Sequence, residues 1–336
     1  MIFASLPNGG RDGSLLVVNR ARTLALSARA VVPSLQALLD DWDSRIEAVR
    51  ALSEELESAT RSDALDLRTV QLAAPLPRAF QFLDGSAYPH HMSVIRQVRG
   101  AAMPADFFDK PLMYQGFADK IIGPTEPILL LQDSELGVDI EAEIVIVTGD
   151  VPQGTSPEEA SGYIRLLGLL NDVSLRNLIP PELGRGFGFL QGKSANSMAP
   201  FLVTPDEVGD LWNGSLLSGR YECYIRGKLI GELDPGADAV FTYPQLIAHA
   251  SRTRELRAGT VIGAGALANA DRKHGCGCIA ELRAREQLAT GAAQTPYLRF
   301  GDELHLEMFD WNRKSLFGAI HQRLEQWPST RQLNQS

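Results

Sequence analysis

The sequence predicts an α+β protein that is mostly β. Short strands and glycine turns dominate after residue 75, helical periodicity is concentrated before it, and no regular strand–helix–strand alternation runs through the chain. A doubly wound sheet is therefore not expected. The 336 residues are 44% apolar and 22% charged, with 30 Gly and 19 Pro, which leaves room for a substantial core.

Taken in order, SLLVVNR reads as a strand following the turn signal NGGRDG. From Ser34 to about Arg61, Leu35, Leu38, Leu39, Trp42, Ile46, Val49 and Leu52 recur at helical spacing. LAAPLPRAFQFLDGSAYP is rich in proline and reads as a loop, with a domain boundary near residue 75. A small α/β domain over 1–75 and a larger one over 76–330 are expected. In the larger one YECYIRGKLIGEL is a hairpin with Arg226-Gly227 at its turn, and TVIGAGAL and DELHLEMFD are strands. PQLIAHASRTREL and SPEEASGYIRLLGLLND are expected helices, the second opened by Ser156 and acids. The GAG at 263–265 neither completes GxGxxG nor opens a helix, so no nucleotide loop is expected.

A net charge of −9 with no basic block argues against nucleic acid or an anionic membrane surface as partner. No run approaches the roughly 18 apolar residues of a membrane span. MIFASLPNGGRDGS lacks the basic and apolar regions of a signal peptide. Three cysteines, Cys223, Cys276 and Cys278, suit a reducing compartment, and a cytoplasmic protein is expected. Cys276 and Cys278 have no second pair with which to build a zinc site.

The chemically informative stretch is GVDIEAEIVIVTGD, residues 137–150. Asp139, Glu141 and Glu143 alternate with Ile140, Ala142 and Ile144, the period of a strand, so the three carboxylates share one face. Val145 and Val147 continue that face as hydrocarbon. Same-face neighbours are only about 6.6 Å apart along a strand. Either these acids face water at the start of the strand, or a positive partner compensates them at the mouth of a core. Three further stretches carry ionisable groups in distinctive settings. LLNDVSLRN puts Asp172 at the end of an apolar helix, between Asn171 and Arg176; GFGFLQGKSANSMAP puts Lys193 in a glycine-flanked turn; GCGCIAEL carries Glu281.

From about residue 80 to 326 the order PLMYQG, GVDIEAEIVIVTG, NDVSLRN, GFLQGKSANSMAPFLV, PQLIAHASRTREL-RAGTVIGAGA and LRFGDELHLEMFD resembles the fumarylacetoacetate hydrolase family. The resemblance implies a mixed, largely β roll or barrel, a homodimer, and one divalent cation, Mg²⁺, Mn²⁺ or Ca²⁺, held by acids. Glu141 and Glu143 match its two glutamate ligands and Asp172 its aspartate ligand, which would supply the positive partner for the acidic strand; Asp139 is expected to face water or to stand behind the ligands. Three hard oxygen ligands would leave about three octahedral positions for water and substrate. Lys193 matches a lysine that faces substrate, Tyr114 a tyrosine that touches it, and Glu281 a glutamate that orients a catalytic histidine; Arg176 is a further substrate-binding candidate. His91 falls where larger members carry an aspartate ligand, and Val98, after Arg96-Gln97, falls where they carry the histidine. Ala266 lies near the place of the usual turn threonine.

On that reading the water-activating part is altered. Glu281 acting through water is the expected base, with His91 as an outer metal ligand or orienter; His90 and His274 are the other candidates. His249, His305 and His321 are expected in packing or at the surface. The implied reaction is hydrolytic cleavage of a carbon–carbon bond in a β-diketone or 2,4-dioxo acid, with Lys193 stabilising oxyanion charge. A hydratase, isomerase or decarboxylase of a 2-oxo acid on the same platform, and a non-catalytic metal-binding protein, stay open.

Overall fold

The computed structural model describes residues 1–58 and 61–328. Within them one large mixed sheet of 13 strands runs from the N-terminal segment into the rest of the chain. Its path is Leu65–Asp66, Leu24–Ser27, Ser14–Val18, Ile2–Leu6, Leu202–Val203, Ile164–Leu175, Ala142–Thr148, Val261–Gly263, Phe82–Gly85 and Met113–Gly116, with Lys193–Met198 pairing beside Ile164–Leu175. A second sheet of five strands is ordered Lys228–Leu233, Arg220–Ile225, Glu303–Phe309, Ser315–Gln326 and Ile128–Leu130.

The central strands are buried on both faces, and this explains their composition. Ile144, Ile146, Leu167 and Leu169 pack with Tyr221, Leu246, Leu306 and Ile320 in one core. Val145, Val147, Leu166 and Leu170 pack with Phe3, Leu38, Ile46 and Val49 in the other. Strands covered on both sides read as continuous apolar runs, without polar alternation.

Two expectations fail for that reason. SPEEASGYIRLLGLLND is a helix only over Pro157–Ala160, where Ser156 and Glu159 form a capping box. It then becomes the 12-residue strand Ile164–Leu175, so Asp172 stands on a strand and not at a helix end. An apolar run covered on both faces cannot be told from a buried helix by its periodicity. The loop expected across LAAPLPRAFQFLDGSAYP contains the buried strand Phe82–Gly85. Its glycine and proline flanks end that strand but do not abolish it.

Lys193 opens the strand Lys193–Met198 and does not sit in a turn. The long N-terminal helix breaks at Asp41 into Leu35–Asp40 and Trp42–Ser58, and its expected last turn reaches residues outside those described. The hairpin is as expected, with Arg226 and Gly227 at φ 53° and 72°, the left-handed values of a tight two-residue turn. Among the described residues no helix is long and apolar enough to cross a membrane.

Candidate active site

The acidic strand and its neighbours bring four carboxylates together. Asp84, Glu141, Glu143 and Asp172 each offer an oxygen within 4.8 Å of the others, and all four are buried. Register explains the convergence. Glu143 pairs with Leu170 and Ala142 with Asn171, so Glu141 meets Asp172, whose amide donates to the Glu141 carbonyl at 3.1 Å. On the other side Val145 opposes Gly263, which in turn lies beside Asp84 in a parallel pair. Gly263 gives the acids their space: a Cβ there would lie 2.4 Å from Glu143 Oε2 and 2.8 Å from Asp84 Oδ1.

Two cationic side chains compensate half of this cluster. Lys193 Nζ donates to Glu141 Oε2 at 2.7 Å, Asp172 Oδ2 at 2.6 Å and Ser174 Oγ at 2.8 Å. Tyr114 donates its hydroxyl to the same Asp172 oxygen at 2.6 Å. Arg176 reaches Glu141 Oε1 at 2.8 Å. Burial opposes the charge on Glu141, but Lys193 and Arg176 overcome it and hold its carboxyl at about 2. The other half has no such help. Burial, with Asp172 nearby, pushes Asp84 up to about 8, and burial with Asp84 and Asp172 raises Glu143 well above the carboxylate range. Both Glu143 oxygens, Asp84 Oδ1 and Asp172 Oδ1 are buried without a hydrogen-bond partner among the described residues. Orphaned buried carboxylate oxygens converging on one point are the donor set that a hard divalent cation requires.

Beside the acids lies a second pair. His91, on the helix Pro89–Val98, has Nδ1 3.0 Å from Glu281 Oε2. Glu281 is fully buried in the first turn of Ile279–Thr290, and its other oxygen is held by Arg285 one turn on. Cys278, the cap of that helix, has its sulfur 3.9 Å from His91 Nδ1.

These positions correct the sequence reading. His91 does not stand in the aspartate place; Asp84 is the fourth acid, and it went unnoticed inside a segment read as loop. Nor is the histidine place filled by Val98. Asp84 and His91 each stand seven residues before the positions expected for the aspartate and the histidine, 91 and 98. The histidine that pairs with Glu281 is His91.

Asp139 is fully buried and engaged by Arg176 and the helix Ile279–Thr290, so of its two expected places it takes the one behind the acids and not the one in water. His274 lies away from the acids, its Nδ1 3.0 Å from the Glu232 carbonyl. No sequence signal beyond the FxDG strand end could have singled out Asp84.

A cavity of about 580 Å³ opens over the site. Asp84, His91, Tyr114, Glu141, Arg176 and Lys193 line its polar side, and Met92, Ile95, Leu112, Leu183 and Phe189 its apolar side. Phe189 packs edge-on against Tyr114, with ring centroids 4.7 Å apart. Arg96 and Arg99 also line the cavity, and neither pairs with a carboxylate among the described residues.

Residues 1–78 match the family described as Fumarylacetoacetase N-terminal domain 2. Oxaloacetate tautomerase FAHD2B, mitochondrial, of Bos taurus is 27% identical over 233 residues, 68% of this chain and 67% of its own length. Oxaloacetate tautomerase fahd2, mitochondrial, of Xenopus laevis is 30% identical over 159 residues, 46% of this chain; the chain thus spans about half of that relative, 47%. Among solved structures, maleylpyruvate hydrolase from Sphingobium sp. SYK-6 in complex with manganese (II) ion and pyruvate superposes with a TM-score of 0.64 at 17% identity, covering 98% of this chain and 100% of that one. Fumarylacetoacetate hydrolase from psychrophilic Exiguobacterium antarcticum superposes with a TM-score of 0.65 at 19% identity, covering 97% and 100%. At such identities the structures show a shared fold. Residues 81–325, most of the chain, match the family described as Fumarylacetoacetate (FAA) hydrolase C-terminal, and the chain belongs to the fumarylacetoacetate hydrolase family.

Proposed function

We propose that the protein is a divalent-cation-dependent enzyme that adds water across a carbon–carbon bond of a 2,4-dioxo acid or related β-diketone. The observation that carries this reading is the His91–Glu281 pair, a hydrogen-bonded imidazole and carboxylate next to four converging acids. Asp84, Glu141, Glu143 and Asp172 would hold the cation, Mg²⁺ or Mn²⁺, which when bound supplies Lewis-acid polarisation of the substrate oxygens.

The chain's own residues account for the proton and charge movements. A hydrogen bond from Nδ1–H of His91 to Glu281 leaves Nε2 as the basic nitrogen. Nε2 takes a proton from water as the oxygen adds to the carbonyl carbon. The carbon–carbon bond breaks, its electron pair leaves as an enolate, and His91 returns the proton to carbon. Lys193 and Tyr114 are the donors nearest the developing oxyanion, and Lys193 must release one of its three acceptors to serve it. The unpaired Arg96 and Arg99 suit a second carboxylate on the substrate. A homodimer in the cytoplasm belongs to the same reading.

A second reading is keto–enol tautomerisation of a 2-oxo diacid such as oxaloacetate. It is favoured by the names of the Bos taurus and Xenopus laevis relatives. It uses the same base on a C–H bond and needs no attacking water.

Purified protein with Mg²⁺ or Mn²⁺ should bleach the ultraviolet absorbance of an acylpyruvate and release pyruvate and a carboxylic acid, or, from a plain β-diketone, one acid and one ketone. Oxaloacetate ketonisation without diketone loss would replace the first reading by the second. Neither activity, with divalent binding intact, would leave a non-catalytic metal-binding protein.

A further inference from the structure

We propose that Asp139 is a positioning residue that locks the His91–Glu281 base to the acidic cluster; this rests on the hydrolytic reading above. Its carboxylate is fully buried and accepts four hydrogen bonds. Oδ1 accepts from the amides of Ile140 at 2.8 Å and Ile279 at 2.7 Å. Oδ2 accepts from the amide of Ala280 and from Arg176 Nε, both at 2.8 Å.

Ile279 and Ala280 open the helix whose next residue is Glu281. The first amides of a helix have no partner inside it, so whatever accepts from them fixes where the helix begins. The local cap, Cys278 Sγ, is a weak acceptor, 3.4 Å from the Glu281 amide. The strong acceptor comes from Asp139, on the segment that leads into Glu141 and Glu143. Through Arg176, which also holds Glu141 Oε1 at 2.8 Å, the same carboxylate is tied to the acids from a second direction.

Asp139 is not itself one of the four converging acids, and its oxygens are saturated. Replacing it therefore leaves the donor set whole. In Asp139→Asn one oxygen still accepts, but the amide NH₂ meets the N–H of Ala280 and Arg176 as a second donor, so the helix start must shift. A displacement of about 1 Å at a reacting group can cost on the order of 100-fold in rate.

The test is Asp139→Asn in the full-length protein, with His91→Ala and Glu281→Gln as references. Three quantities are read: Mn²⁺ affinity by electron paramagnetic resonance, hydrogen–deuterium exchange in a peptide spanning 276–285, and steady-state kinetics. Expected are Mn²⁺ Kd within about threefold, faster exchange at the helix start, and kcat down roughly 10–100-fold with KM nearly unchanged. Unchanged kcat, with the references inactive, overturns the proposal. So does loss of Mn²⁺ affinity, which would make Asp139 a support of the acids and not of the base. If wild-type protein turns over no dioxo acid, the functional reading fails, while exchange and Mn²⁺ affinity still judge Asp139. Asp139→Ser, smaller and neutral, replaces Asp139→Asn if the latter does not fold. Failure of both to fold would make Asp139 a strut of the fold and overturn the proposal.

Discussion

His91 Nδ1 lies 3.0 Å from Glu281 Oε2 across a sequence separation of 190 residues, and the imidazole is only 13% exposed. Two neighbouring groups that share one proton path act as a unit. His91→Ala and Glu281→Gln should each lower kcat about 10²–10⁴-fold, and the double variant should be no worse than the lower single. Mn²⁺ affinity of His91→Ala should stay close to that of wild type, because His91 is not one of the four acids. Calorimetric loss of Mn²⁺ binding in that variant would return His91 to the role of a metal ligand.

Stability in chelator should fall as pH rises. Asp84 is pushed up to about 8 by burial and by Asp172, and Glu143 is raised well above its ordinary value by burial and Asp84. For groups raised in the folded state, the native protein binds more protons than the unfolded chain between the two pKa values, so stability declines through that window. Thermal unfolding should therefore show Tm dropping from about pH 5 to 8, with the Mn²⁺-induced gain growing over the same range. Asp84→Asn should flatten the apo profile. A Tm that climbs from pH 5 to 8 in chelator would contradict the raised carboxyls.

Lys193 compensates two buried acids at once, and its removal leaves them unpaired. Burial opposes its charge, but Asp172 and Glu141 more than restore it and raise its ammonium above the ordinary value. Lys193→Met should cost about 3–5 kcal/mol in chelator by chemical denaturation, with less of that loss seen in Mn²⁺. In turnover kcat should fall more than KM rises, since a donor to a developing oxyanion acts mainly in the transition state. Wild-type kcat in Lys193→Met would make it a structural counter-ion only.

What the sequence discloses and what it hides follow from the strands. Glu141 and Glu143 were legible because alternation with Ile140, Ala142 and Ile144 is a local pattern, and a period of two needs no tertiary information. Asp172 and Lys193 were found, but on the wrong elements, because a strand buried on both faces leaves no alternation to read. Asp84 is hidden in a four-residue strand between proline and glycine signals, and without it nothing in the sequence separates a metal-facing place from a base at His91. For Asp139 the alternation leaves two places open, in water or behind the acids, and does not choose between them. Its four donors come from Ile140, Arg176, Ile279 and Ala280, and three of these are brought to it only by the fold.

The acids can also be tested without touching a carboxylate. Gly263 lies in register between Val145 and Asp84 on the two neighbouring strands, and its missing side chain is the space into which Glu143 and Asp84 project. A methyl group would meet Glu143 Oε2 at 2.4 Å, Asp84 Oδ1 at 2.8 Å and Phe82 Cε2 at 3.2 Å. The carboxylates can swing away more readily than the packed ring. Gly263→Ala should therefore keep a native far-ultraviolet circular dichroism spectrum while Mn²⁺ affinity falls at least about tenfold. Gly162→Ala, where a Cβ meets nothing within 4 Å, is the matched control and should change neither quantity. If Gly263→Ala binds Mn²⁺ as tightly as wild type, then Glu143 and Asp84 do not supply those oxygens. The cation would then have to rest on Glu141 and Asp172, whose charges Lys193 already shares.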